Sequence, residues 1–171
     1  MDRLYTPWRR EYVVNPKTID CPFCDYLGQD PSQDAENLVL LRWPRAFIIL
    51  NRYPYNNGHL MVLPNEHVAD LESLDTETQA DLMQLTTVCT QLLSRTLHPQ
   101  GFNIGINIGK AAGAGLASHL HVHIVPRWHG DTNFMPVVAS TRVLPEWLAE
   151  TYQRLRKLLQ DGEMAAHSTS S

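Results

Sequence analysis

At 171 residues with 43% hydrophobic side chains, the chain is long enough to bury one compact core. No apolar run approaches the roughly 20 residues of a bilayer span, and Met1 to Glu11 holds no apolar stretch resembling a signal peptide, so the expectation is a cytoplasmic protein with no membrane partner. A net charge of −4 with acids and bases interspersed argues against a general nucleic-acid surface, and three cysteines are too few and too odd in number for a disulfide scaffold.

Taken in chain order, short runs rich in aliphatic and β-branched residues read as strands. Leu38 to Leu41 and Phe47 to Leu50 flank Trp43-Pro44-Arg45 and suggest a hairpin. His59 to Leu63 is a third strand. A helix follows, with Leu82, Leu85, Cys89 and Leu92 at helical spacing, Asp75 as N-cap and His98-Pro99 as its end. Cys89 on that stripe reads as core. Asn103 to Ile108 and His119 to Val125 are two more strands. The last helix has Pro145 in its first turn and Leu148, Tyr152, Leu155 and Leu159 as its apolar face. Strands, helix, strands, helix is an order that favours α+β with an antiparallel sheet over an alternating parallel fold. We expect one domain over residues 1–160, with an N-terminal arm and a C-terminal helix. The polar, small-residue stretch 161–171 reads as a disordered tail, which makes His167 irrelevant to function.

The chemistry concentrates in Ser118-His119-Leu120-His121-Val122-His123-Ile124-Val125. Alternation along a strand turns His119, His121 and His123 to one side, with successive imidazoles about 6.5–7 Å apart, and Leu120, Val122 and Ile124 to the other. Three imidazoles without partners are costly to bury, so a purely structural role is disfavoured. Two chemistries compete. His-x-His is common in zinc and iron sites. A neutral imidazole, with a reference pKa of about 6.5, is also a good nucleophile at neutral pH. The first acid after His123 is Asp131, which weakens a metal hydrolase needing a nearby carboxylate. Upstream, Asn107-Ile108-Gly109-Lys110-Ala111-Ala112-Gly113-Ala114-Gly115 can bring backbone amides close to phosphate oxygens, with Lys110 adding charge. Cys21-Pro22-Phe23-Cys24 has zinc-ligand spacing but supplies only half a tetrahedral site; a redox pair or two buried thiols are the alternatives.

His119-Leu120-His121-Val122-His123-Ile124-Val125 resembles the His-φ-His-φ-His-φ-φ signature of the histidine-triad (HIT) family. Gly58-His59-Leu60-Met61-Val62-Leu63-Pro64-Asn65-Glu66-His67 is similar to a second stretch of that family, and the resemblance covers residues 20 to 130 approximately. Tyr5-Thr6-Pro7-Trp8-Arg9 and Pro126 to Pro136 look like the branch that contains bacterial diadenosine tetraphosphate phosphorylases. Many members carry Gly-Gln-Ser/Thr-Val before the first histidine. Gly113 to Ser118 lacks the Gln, so its leaving-group contacts are not carried over. The resemblance implies a HIT-like fold and a covalent nucleotidyl intermediate on His121. His123, His59 and Asn107 would be catalytic partners. Asn51 would contact ribose, and Gly109, Gly113, Gly115 and Ser118 would form the substrate loop. The base pocket is expected near Phe47 to Leu50. Water as acceptor makes a hydrolase of dinucleoside polyphosphates or phosphoramidates; inorganic phosphate makes a phosphorylase yielding ATP and ADP. A binding module without turnover is the third reading. No cofactor is required for the covalent step. By the same resemblance Cys21, Cys24, His67 and His119 would hold a structural zinc, and the chain would form a homodimer or higher homo-oligomer.

Overall fold

The computed structural model describes residues 21–131 and 146–161. The N-terminal motif around Trp8 and Arg9, Pro145, Thr132 to Pro136 and the tail beyond Asp161 lie outside those residues. The chain enters through helix α1 (Pro22–Gly28), a 3-10 turn (Pro31–Gln33) and helix α2 (Asp34–Asn37). Strands β1 (Val39–Arg42), β2 (Ala46–Leu50) and β3 (Leu60–Pro64) follow, then the long helix α3 (Thr76–Leu97). Strand β4 (Gly101–Ile106), a 3-10 turn (Lys110–Ala112), strand β5 (Val122–Arg127) and helix α4 (Leu148–Gln160) complete the order. All five strands join one antiparallel sheet, ordered β1-β2-β3-β5-β4.

The predicted α+β architecture is therefore the observed one. The Trp43 N–H closes the β1–β2 turn on the Ala46 carbonyl at 2.9 Å. Asp75 caps α3 by accepting from the Thr78 N–H at 2.6 Å, which satisfies one of the donors a helix start leaves open. His98 ends the helix in a left-handed conformation (φ 50°) just before Pro99. Leu82, Leu85, Cys89 and Leu92 are all buried, as their spacing requires. In α4, Tyr152 and Leu155 are buried, while Leu148 and Leu159 pack partly against the same core. Helix α3 lies against β2, β3, β5 and α4.

Register sorts the sheet's two faces, because cross-strand partners share a face. Ile48, Val62 and Val122 form one row, and Leu50, Leu60 and Ile124 another on the same face. Ile49, Met61, His123 and Gly105 form a row on the opposite face. Gly58, in the turn that leads into β3, has φ 73°. That backbone conformation favours glycine, and a Cβ there would also crowd the Leu97 side chain.

Every strand boundary but the end of β2 is displaced by one to three residues from the sequence reading. Strand β5 begins at Val122, not His119: the Leu120 N–H bonds to the Val68 carbonyl at 2.6 Å, in the loop after β3, instead of joining the β4 ladder. Strand β4 starts at Gly101 and ends at Ile106. Helices α1 and α2 are additional. Their hold is tertiary: Arg42 on β1 pairs with Asp34 and donates to the carbonyls of Tyr26, Leu27 and Gln29 at 2.9, 2.8 and 3.2 Å.

A histidine cleft beside a cysteine–histidine cluster

His59, His119, His121 and His123 are all buried, at 0%, 1%, 5% and 9% exposure, so each ring nitrogen must be accounted for. His121 Nδ1 lies 2.8 Å from the His119 carbonyl. A carbonyl only accepts, so Nδ1 carries the hydrogen, and in the neutral ring the lone pair is on Nε2. This bond runs back along the chain because His119 and His121 precede the strand. The ring centroids of His121 and His123 stand 4.7 Å apart and nearly perpendicular, closer than the strand rise implies.

A second chain of bonds fixes the other pair. The Tyr55 N–H donates to His59 Nδ1 at 3.1 Å, and Asn51 Nδ2 lies 3.3 Å from the same atom. Asn51 Oδ1 is engaged by the Tyr53 N–H at 2.9 Å, which orients its amide with nitrogen toward His59. His59 Nδ1 is thus an acceptor and Nε2 bears the hydrogen, aimed at His123 Nδ1 at 3.0 Å. That leaves His123 with its hydrogen on Nε2, a buried donor with no protein partner among the described residues. Burial, reinforced by His123 and His121, pushes the His59 imidazole down to about 3. Burial and His121 push His123 down to about 4. Both rings are neutral at pH 7, as this bonding pattern requires.

His121 and His123 open on a cleft of about 390 Å³. Its apolar floor is Ile49, Leu50 and Met61; Phe23 and Tyr26 from α1, with Tyr53 and Tyr55, supply aromatic walls. Asn51, Gly113 and Gly115 line the same space, and His59 stands directly behind His123. Asn107, Gly109 and Ser118 are not among the lining residues, nor is Lys110, and Phe47 is fully buried away from it. Arg127 and Trp128 do not line it either. The Arg127 guanidinium is committed to Asp131 and Asn103. Sequence reasoning missed Tyr55 and Phe23. Tyr55 stacks on His59 at 4.7 Å and supplies the N–H that sets its tautomer. Its place just before Gly58-His59, in the β2–β3 connection, was the available signal.

Behind the cleft, Cys21, Cys24, His67 and His119 offer ligand atoms that all lie within 4.8 Å of one another. His119 Nε2 donates to the Pro64 carbonyl at 2.9 Å, so its Nδ1 lone pair faces the thiols, as histidines ligating metals through one nitrogen are held through the other. Nδ1 stands 3.2 Å from Cys21 Sγ and 3.7 Å from Cys24 Sγ; His67 Nδ1 is 3.4 Å from Cys24 Sγ. Metal–sulfur bonds of about 2.3 Å and metal–nitrogen bonds of about 2.0–2.1 Å put tetrahedral S and N ligands about 3.5 Å apart. The four residues fit such an ion.

Residues 32–130 match the HIT domain. An AP-4-A phosphorylase of Mycobacterium tuberculosis is 38% identical over 161 residues, which covers 91% of this chain and 83% of that protein. The adenosine 5'-monophosphoramidase hnt1 of Schizosaccharomyces pombe is 28% identical over 109 residues, 64% of this chain and 75% of its own. A solved Zn-bound histidine triad family protein from Mycobacterium smegmatis superposes with a TM-score of 0.67 at 29% identity, over 87% of this chain and 99% of that one.

The depressed histidines make stability depend on pH. An unfolded histidine takes up a proton near pH 6.5, whereas His59 and His123 do so only near 3 and 4, so their contribution is present above pH 6.5 and is lost as pH falls from there toward 4. By pH 5.5 each group should remove roughly 1 kcal/mol. Denaturant titrations at pH 7.5 and 5.5 should show His59→Asn losing less than the wild type between the two. Equal losses would contradict the assignment of a buried neutral His59.

Proposed function

The chain belongs to the HIT family and is one of its enzymes, and from that premise we propose that it transfers a nucleotidyl group from a dinucleoside polyphosphate to inorganic phosphate through His121. The observation that carries this reading is the committed Nδ1 of His121, which leaves a bare Nε2 lone pair at a cleft of nucleotide size. With diadenosine tetraphosphate, Nε2 attacks the phosphorus next to one adenosine. The N–P bond forms, the P–O bond to the remaining phosphates breaks, and ATP departs. Inorganic phosphate then attacks the same phosphorus, the N–P bond breaks, and ADP leaves. The imidazole becomes cationic in the intermediate, so its Nδ1–H bond to the His119 carbonyl strengthens as charge develops. The unsatisfied Nε2–H of His123 is placed to donate to a phosphate oxygen, and His59 holds that hydrogen in place. Gly113 and Gly115 would bring backbone amides to the phosphates, and Asn51 would meet the ribose with the Nδ2 hydrogen that His59 does not use. Asn107, Gly109 and Ser118 enter this scheme only as the frame of that loop.

The relative named as a phosphorylase covers far more of this chain than the phosphoramidase does, which favours phosphate over water as acceptor. Zinc is the ion we assign to Cys21, Cys24, His67 and His119. When bound it would tie the α1 segment to the sheet, and no chemical step passes through it. Cys21, Cys24 and Cys89 form no disulfide among the described residues, in keeping with a cytoplasmic location. Among the described residues no helix is long and apolar enough to cross a membrane. We further assign a homo-oligomer built on β4, the end strand of the sheet among the described residues, where Ile104 is exposed, as is Ile108 just beyond the strand. Ile104→Lys should shift the sedimentation coefficient to that of a monomer, and a wild type that already sediments as a monomer would end this assignment.

Product analysis tests the reaction. Diadenosine tetraphosphate should be consumed only when phosphate is present, giving ATP and ADP in equal amounts. His121→Ala should lose at least about a thousandfold in turnover while still binding nucleotide. AMP plus ATP formed without phosphate would replace the phosphorylase by a hydrolase. A His121→Ala protein with near-normal rates would sink the covalent route itself.

A further inference from the structure

Helix α1 is a short wall between two sites. It has seven residues and none of them is fully buried, and a helix of that length does not stand alone in water. Its C-terminal end is held by Arg42, which donates to the Tyr26, Leu27 and Gln29 carbonyls. Its N-terminal end is tied through Cys21, its N-cap, and Cys24, which face His119 and His67. Between those two thiols, Phe23 turns its ring edge-on to His119 (5.5 Å, 78°) and tilted against His121 (6.1 Å, 52°). The same ring lines the cleft, together with Pro22 and Tyr26. His119 likewise serves both sides: its Nδ1 faces the thiols and its carbonyl sets His121.

We infer that Phe23 is a positioning residue that makes nucleotide binding and metal retention reciprocal. An ion on Cys21, Cys24, His67 and His119 holds the start of α1, α1 holds Phe23 against His121, and a nucleotide in the cleft presses Phe23 and Pro22 back toward the ion. The inference rests on the nucleotide and zinc readings above. Thermodynamic linkage then requires one factor in both directions: the ion strengthens nucleotide binding as much as nucleotide strengthens ion binding. Ordering of α1 is the shared event, since either ligand alone bears the cost of fixing that helix and the second does not.

The experiment uses the zinc-loaded chain, AMP as a probe that does not turn over, and a chelator that reports zinc as it is released. At equilibrium with the chelator, saturating AMP should tighten zinc binding about tenfold, within the usual span of coupling between sites, and zinc-depleted protein should bind AMP more weakly by the same factor. Phe23→Ala should keep its zinc. Its zinc affinity, at AMP concentrations that saturate the variant, should change by less than about twofold, and Phe23→Tyr, which keeps the ring, should restore the tightening. Tightening that survives in Phe23→Ala would overturn the inference, because it would show AMP acting through the stability of the whole fold. Equal zinc affinity with and without AMP in the wild type would overturn it too. Protein that holds no zinc on metal analysis removes the zinc reading and the inference with it. Zinc-loaded protein that fails to bind AMP on titration removes the nucleotide reading and the inference. The two assays tell these failures apart.

Discussion

A 2.8 Å hydrogen bond from His121 Nδ1 to the His119 carbonyl decides which imidazole nitrogen faces the cleft, and with it what the cleft can do. A histidine free to exchange tautomers would present a lone pair only part of the time. Here the acceptor cannot be satisfied by the other neutral form, so Nε2 is the nitrogen left to face the cleft. The carbonyl is in turn held where it is because the residue that owns it is fixed at three places: ring Nε2 on Pro64, ring Nδ1 on the thiols, and the next amide, of Leu120, on Val68.

The sheet makes this arrangement affordable. Four buried imidazoles would each carry a desolvation cost if left unpaired. The register of β3 against β5 sets Met61 opposite His123, so the floor of the cleft and its donor come from adjacent strands. The β2–β3 connection then returns Tyr55, Asn51 and His59 to the rear of that donor. Among the described residues one imidazole donor remains unmet, on His123 Nε2, and it is the group the proposed chemistry needs for a phosphate oxygen. The two neighbouring features, cleft and cysteine–histidine cluster, meet at His119 and at helix α1, so neither is a separate module.

Much of this was readable from residue order. The hairpin, the cap at Asp75, the stop at His98-Pro99 and the aliphatic alternation of β5 are local signals whose causes lie within a few residues, and the structure obeys them. The His-x-His-x-His pattern was enough to locate the cleft. What escaped was tertiary. Helix α1 is too short for a periodic stripe and is held by Arg42 from β1. Strand pairing fails at His119 because a loop after β3 captures Leu120 instead. Neighbours of true lining residues, such as Asn107 and Gly109 beside Gly113, could not be sorted from them by spacing, since reach into a cleft depends on how the loop turns.

The central claim is the tautomer set, and it is open to direct observation. Nitrogen-15 correlation spectra of the histidine side chains at pH 7.5 report which ring nitrogen bears hydrogen. His121 should be protonated on Nδ1, and His59 and His123 on Nε2. His121 with its hydrogen on Nε2, or with both nitrogens exchanging, would contradict it.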